Sequence, residues 1–167
     1  LLLNQTKINI FQENQNYLQN NFNCKNISHI IAELFYLTAN ALSSQSLYSL
    51  SNFYLNLSKY LNQDFFSYNT LLAENFVMIE NYGDAERIFN LLKKSGEIYN
   101  WHSSKQIALI QIEKKNIKRA INDLEKSYNR LNNPDVFQTY DFANFLKNNE
   151  RYEDSIKFYS KVIKNIS

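Results

Sequence analysis

Glycine and proline are nearly missing from this chain, with two Gly and one Pro among 167 residues. Two glycines, Gly83 and Gly96, are too few for a phosphate-cradling Walker loop or for the G-x-G-x-x-G turn that receives a dinucleotide. The same shortage argues against a turn-rich all-β fold and favours helices joined by short polar links. The single cysteine, Cys24, cannot form an internal disulfide. With only two histidines, far apart, it makes a poor zinc set, so neither a metal nor a cofactor is expected. Apolar runs stop well short of the roughly 18 residues of a membrane span, so no membrane insertion is expected. Leu1-Leu2-Leu3 gives way at once to Asn4-Gln5-Thr6-Lys7, which is not the form of a signal peptide. The chain does not open on Met and reads as a fragment of a longer protein, of unknown compartment.

Charge is also in short supply. The formal net charge is +2, too small to imply nucleic acid or an anionic membrane as partner. It is uneven: residues 101–167 carry twelve basic and eight acidic side chains, against three and three in residues 1–64. Mixed-sign helix faces account for this. What the chain has in excess is Asn, 26 residues scattered among apolar ones, beside many Lys, Ile, Tyr and Phe. That bias fits an AT-rich genome rather than an aggregation-prone tract.

An internal repeat organises the rest. Steps of 35 residues carry Ala73 to Ala108 and Ala143, Ala85 to Ala120 and Ser155, and Phe89 to Leu124 and Tyr159. They also carry Leu72 to Ile107 and Phe142, Tyr82 to Ile117 and Tyr152, and Phe76 to Gln111 and Leu146, where Gln111 alone breaks the apolar class. A weaker copy lies 34 residues upstream at Ala39, Leu42, Ser51, Leu55 and Ser58. Four units follow, at about 32–65, 66–100, 101–135 and 136–167.

Each unit reads as two helices. In the third, Ile107, Ile110, Gln111 and Lys114 share one face; Ile117, Ile121, Leu124 and Leu131 follow on a second helix after the link Lys114-Lys115-Asn116. The corresponding links are Glu80-Asn81 and Asn148-Asn149-Glu150. Small residues (Ala73, Ala108, Ala143; Ala85, Ala120, Ser155) belong at helix crossings, which close to about 8–10 Å only where side chains are small. Ser28 and Asp64 are candidate N-caps, and Pro134 suits a helix start. Residues 1–27 fall outside the period and are expected to form an extra N-terminal helix carrying Ile8, Phe11 and Leu18, then an Asn-rich connector. The expected fold is therefore all-α: an α-solenoid of about four antiparallel helix pairs over residues 28–167.

This pattern resembles the tetratricopeptide repeat (TPR). The shared features are the small residue midway along each first helix (Ala39, Ala73, Ala108, Ala143), and the Ala or Ser early in each second helix (Ser51, Ala85, Ala120, Ser155). A large residue follows one turn later (Leu55, Phe89, Leu124, Tyr159). The opening Tyr82-Gly83-Asp84-Ala85 recurs as Tyr152-Glu153-Asp154-Ser155. The sequence departs where the family usually has an aromatic, at Asn69, Ser104 and Thr139, and it lacks the usual Pro near each unit's end. General similarity is greatest to multi-repeat TPR proteins of alphaproteobacteria, which implies a soluble protein of the bacterial cytoplasm or periplasm.

The resemblance implies a right-handed superhelix whose first helices line a concave groove for a partner peptide or helix. Its lining maps to Tyr36, Asn40, Thr70, Glu74, His102, Lys105, Tyr140 and Asn144. Function is then expected to be non-catalytic protein–protein interaction, as a scaffold or adaptor, with a partner of unknown identity. Two other readings stand beside it. The 35-residue step also resembles pentatricopeptide repeats that bind single-stranded RNA, although only Thr70 with Asn100 would satisfy their base-reading pair. A structural spacer between other domains is the third. Catalysis finds little support: His29 and His102 have no nucleophile or paired carboxylate at a recognisable spacing. Cys24 beside Lys25 reads as a bystander thiol, and Trp101 as a wedge between units.

Overall fold

The computed structural model describes residues 22–64 and 67–166. Among these, all regular structure is helical: α1 (Ile27–Ser44), α2 (Tyr48–Leu61), α3 (Ser67–Met78), α4 (Tyr82–Leu92), α5 (Glu97–Glu113), α6 (Ile117–Asn129), α7 (Val136–Asn148) and α8 (Tyr152–Ile166). The expected N-terminal helix with Ile8, Phe11 and Leu18 lies outside the described residues. No described helix is long and apolar enough to cross a membrane. The chain divides into two compact units, Leu1–Ile88 and Phe89–Ser167. In the first, α1 packs on α2 and α2 on α3; in the second, α5 packs on α6, α6 on α7, and α7 on α8.

The polar links close each pair by one device. Ser46, Glu80, Lys115 and Glu150 all adopt left-handed backbone, with φ of 62°, 58°, 61° and 62°. At each, the left-handed residue's N–H donates three residues back and the next N–H donates five back. At the first link these are Ser46 N to Ser43 O (2.9 Å) and Leu47 N to Leu42 O (3.0 Å). At the third they are Lys115 N to Ile112 O and Asn116 N to Gln111 O, both 2.8 Å. This is the Schellman closure, which satisfies carbonyls that a helix end would otherwise leave open. Glycine usually holds the left-handed place because it has no Cβ to clash. Here none of the four is glycine, which explains how so many helix ends coexist with two Gly.

The helix starts depart from expectation in two places. Asn26, not Ser28, caps α1: its side chain accepts from Ser28 N at 3.0 Å. Asp135, not Pro134, governs the start of α7. Its carboxylate accepts from Gln138 N (2.7 Å) while Gln138 Oε1 accepts from Asp135 N (2.9 Å), a closed capping box. Pro134 precedes that cap. Helices α1 and α5 also begin about a turn before the repeat boundaries at Ala32 and Trp101, because Asn26 and Gly96 supply their N-caps.

The small-residue columns are buried. Ala39, Ala73, Ala85, Ala120 and Ala143 have no exposed surface, nor has Ser51. The serines add a bond that alanine cannot. Ser51 Oγ donates to Ala39 O (2.8 Å) and Ser155 Oγ to Ala143 O (2.9 Å), joining the two helices of a pair twelve residues apart. Ser58 Oγ donates to Ala32 O (2.8 Å), fixing the far end of the same pair.

The second unit's core is aromatic. Tyr128 and Phe142 stack at 4.8 Å, Phe158 meets Phe142 edge-on at 4.8 Å, and Trp101 closes the cluster 5.9 Å from Tyr128. Trp101 thus wedges α5 against α6 and α7. Thr139 Oγ1 donates to Asp135 O (2.8 Å), so the 3.0 Å contact with Tyr128 is a donation from the Tyr128 hydroxyl. Two expected core positions are looser. Ile117 is 47% exposed at the first residue of α6, and Ser127 donates to Asp123 O within its own helix.

Candidate functional site

The expected groove residues fall into two sets, one in each compact unit. In the first, Tyr36, Asn40 and Glu74 come together. Tyr36 is buried rather than presented on a surface, and the Asn40 amide donates to Tyr36 O at 3.1 Å. Burial raises the Tyr36 hydroxyl above the ordinary tyrosine range; the carboxylates of Glu33 and Glu74 push the same way and a hydrogen bond from Asn40 opposes them. Desolvation likewise raises Glu33. Thr70 is half-buried on α3, and its Oγ1 is fully enclosed without a hydrogen-bond partner. Of this set Tyr36 is buried, and Asn40, Thr70 and Glu74 are half-buried.

In the second unit the set separates. His102 is enclosed, with its ring edge-on to Phe89 at a centroid distance of 6.0 Å. Trp101, His102, Ser103 and Ser104 are all buried. His102 is therefore enclosed against Phe89 rather than presented on a concave face. Lys105 emerges just beyond and donates to Asp141 Oδ2 at 2.7 Å, tying α5 to α7. Tyr140 is 49% exposed and lies edge-on to Tyr159, whose hydroxyl donates to Asn144 Oδ1.

The surviving surface is a strip on α7. Phe137, Tyr140, Asp141 and Asn144 recur at spacings of three, four and seven, which puts them on one helical face. Phe137 is 57% exposed. The Lys105–Asp141 ion pair continues the strip onto α5, where Leu109, one turn beyond Lys105, is also exposed. Of the second-unit groove residues, Lys105, Tyr140 and Asn144 belong to it. Asp141 and Leu109 join them on the same surface.

Elsewhere, His29 accepts from Asn23 N at 3.2 Å through Nδ1, stitching the connector to the start of α1. Cys24 is free and exposed. Among the described residues, no three His, Cys, Asp or Glu side chains gather as a metal site would require. On α8, Ile156 and Ile163 are exposed. No protein-family model matches the chain, and no curated protein matches its sequence.

Sequence reasoning missed the most connected polar residue, Asn75. It is 1% exposed; its amide donates to Ser51 Oγ and to Asn52 Oδ1 (both 2.8 Å), and its Oδ1 accepts from Ser43 Oγ (2.6 Å). A signal existed. Steps of 35 take Asn75 to Ile110 and Phe145, both buried, so an amide stands alone in an apolar column.

Proposed function

We propose that this chain is a tetratricopeptide-like helical-repeat module that binds a protein partner and carries out no chemistry of its own. The observation that carries this reading is the strip on α7. The aromatic side chains Phe137 and Tyr140 are exposed there at helical spacing, with half-buried Asn144 one turn beyond, on a helix held in place by a capping box and by an ion pair to α5. Exposed aromatics on a rigid support lose little conformational entropy on contact, the property that makes Tyr and Phe efficient anchors. Asn144 and Asp141 supply hydrogen-bonding groups beside them. The helix-pair sequence register and the four identical closures support the family reading. The RNA reading draws less support, since Thr70 Oγ1 is enclosed and the Asn100 amide is committed to Lys93 O at 3.1 Å.

The test places a photo-crosslinking residue at Tyr140, and separately at Lys118 on the exposed side of α6, in the native cell. A partner crosslinked from position 140 and not from 118, and lost in a Phe137→Ala/Asn144→Ala background, is the expected result. Equal labelling from both positions, or recovery of RNA instead of protein, defeats the proposal. No adduct at either position would favour a spacer.

A further inference from the structure

We propose that the cleft where α5 begins is a binding site for a phosphate dianion, either free phosphate or the monoester of a small molecule. The cleft, half open to solvent, measures about 370 Å³ and is walled by the turn after α4, the first two turns of α5 and the end of α6. That volume falls in the range of small-molecule sites. Lys93, Lys94 and Arg130 line it, with Glu97 as the one acidic lining residue, which leaves two positive charges for a ligand. A phosphate monoester carries close to two negative charges at neutral pH. Among the described residues, none of the three cations makes a salt bridge. Burial holds the Lys93 ammonium below its usual range, with Arg130 adding to the effect and Asp123 opposing it.

Two backbone features add to this. Helix α5 is seventeen residues long and its N-cap is Gly96, which offers no side-chain acceptor to the first N–H groups. Those groups point out of the helix start and carry its positive partial charge. Gly96 holds a φ of 113°, which L side chains rarely adopt, and the space beside it is open, with nothing within 4 Å of where a Cβ would stand.

The second and independent sign is Ser104, on the cleft wall. It is 4% exposed and its Oγ has no hydrogen-bond partner. Leaving a buried hydroxyl unpaired is costly, and native structures rarely do so without a reason. One period later, Thr139 stands in the same column and its hydroxyl is fully used, between Asp135 and Tyr128. Ser104 therefore keeps an uncommitted hydroxyl, enclosed in the wall of the cleft that the three cations line, as a donor for an anion's oxygen. The Asn100 amide, bonded to Lys93 O, pins the turn that brings Lys93 and Lys94 to the helix start.

The experiment is a titration of the full chain, followed by amide NMR shifts, with inorganic phosphate, glycerol 3-phosphate and glycerol in separate arms. Saturable shifts centred on Gly96 to Ser104 are expected with at least one phosphate, and none with glycerol. Whichever phosphate binds more tightly identifies the source. Arg130→Gln should weaken binding about tenfold and Ser104→Ala about fivefold, in keeping with loss of a charge-assisted hydrogen bond. Ser103→Ala, which removes an equally buried and unpartnered hydroxyl outside the cleft, should leave affinity unchanged. Circular dichroism of each variant confirms folding. Failure of both phosphates to saturate, or a Ser104→Ala protein that binds as the parent does, overturns the proposal.

Discussion

Replacing Asn75 by alanine isolates what a satisfied buried amide contributes to a helix-pair core. Asn75 makes three hydrogen bonds, each to a different partner, and Ser51 passes its own proton on to Ala39 O. Alanine would remove all three at once. Ser43 is half-buried and can turn to water, so its loss is small. Ser51 and Asn52 are buried, and each would keep an acceptor with nothing to accept from. At about 1–1.5 kcal/mol for each orphaned acceptor, plus the space left by the missing amide, the variant should lose about 3 kcal/mol. That is a large share of the roughly 5–15 kcal/mol that holds a domain together. Asn75→Leu, alike in branching but bulkier and unable to hydrogen-bond, should lose at least as much. Urea unfolding followed by far-UV circular dichroism measures both. A loss under about 1 kcal/mol in both variants would refute the claim that the network stabilises the fold. Ser103→Ala provides the opposite sign: its hydroxyl is buried without a partner, so removal should be neutral or stabilising.

Two further outcomes follow from the backbone and from burial. Glycine at any of the left-handed closures, for example Glu80→Gly or Lys115→Gly, should stabilise by about 0.5–1 kcal/mol in thermal unfolding, since it relieves a Cβ clash worth about 1–2 kcal/mol and offsets part of that with unfolded-state entropy. Tyr68 is fully buried, donates to Asn62 O at 2.7 Å, and has its hydroxyl pushed up to about 12 by burial, with Asp64 contributing. Its folded value lies above the unfolded one near 10, so its contribution is intact below about pH 10 and is lost as pH rises towards 12. Spectrophotometric titration should show one tyrosine ionising only with unfolding, and Tyr68→Phe should flatten the alkaline loss of stability.

The helix pairs were legible in the sequence because each repeated column is a steric demand repeated. Ala39, Ala108 and Ala143 are small because a facing helix packs there, and Leu55, Phe89 and Leu124 are large because they fill the core. The closures were not legible. Ser46, Glu80, Lys115 and Glu150 share a backbone conformation and no chemical class, so the column looks random until its φ values are seen. Nor could the register tell presented from enclosed. His102 and Tyr36 hold places that the resemblance assigns to an open groove, yet both are buried, one against Phe89, the other among Asn40, Glu33 and Glu74.

Where a column changes class, the chemistry changes with it. Asn75 interrupts a column that reads Ile110 and Phe145 in the following pairs. The first unit there builds a hydrogen-bonded centre, while the second fills the place with apolar side chains around Trp101, Tyr128 and Phe142. The column through Ser104 reads Phe35, Asn69, Ser104 and Thr139, polar in the last three pairs, and the Thr139 hydroxyl is fully bonded. A small, unpaired hydroxyl in that column marks the cationic cleft beside Gly96. A repeat constrains every unit to the same backbone, so a substitution that breaks its column without disturbing the fold is free to serve something other than the fold. Asn75 is explained by its partners. Ser104 has none within the protein and, unlike the equally unpartnered Ser103, it lines the cationic cleft.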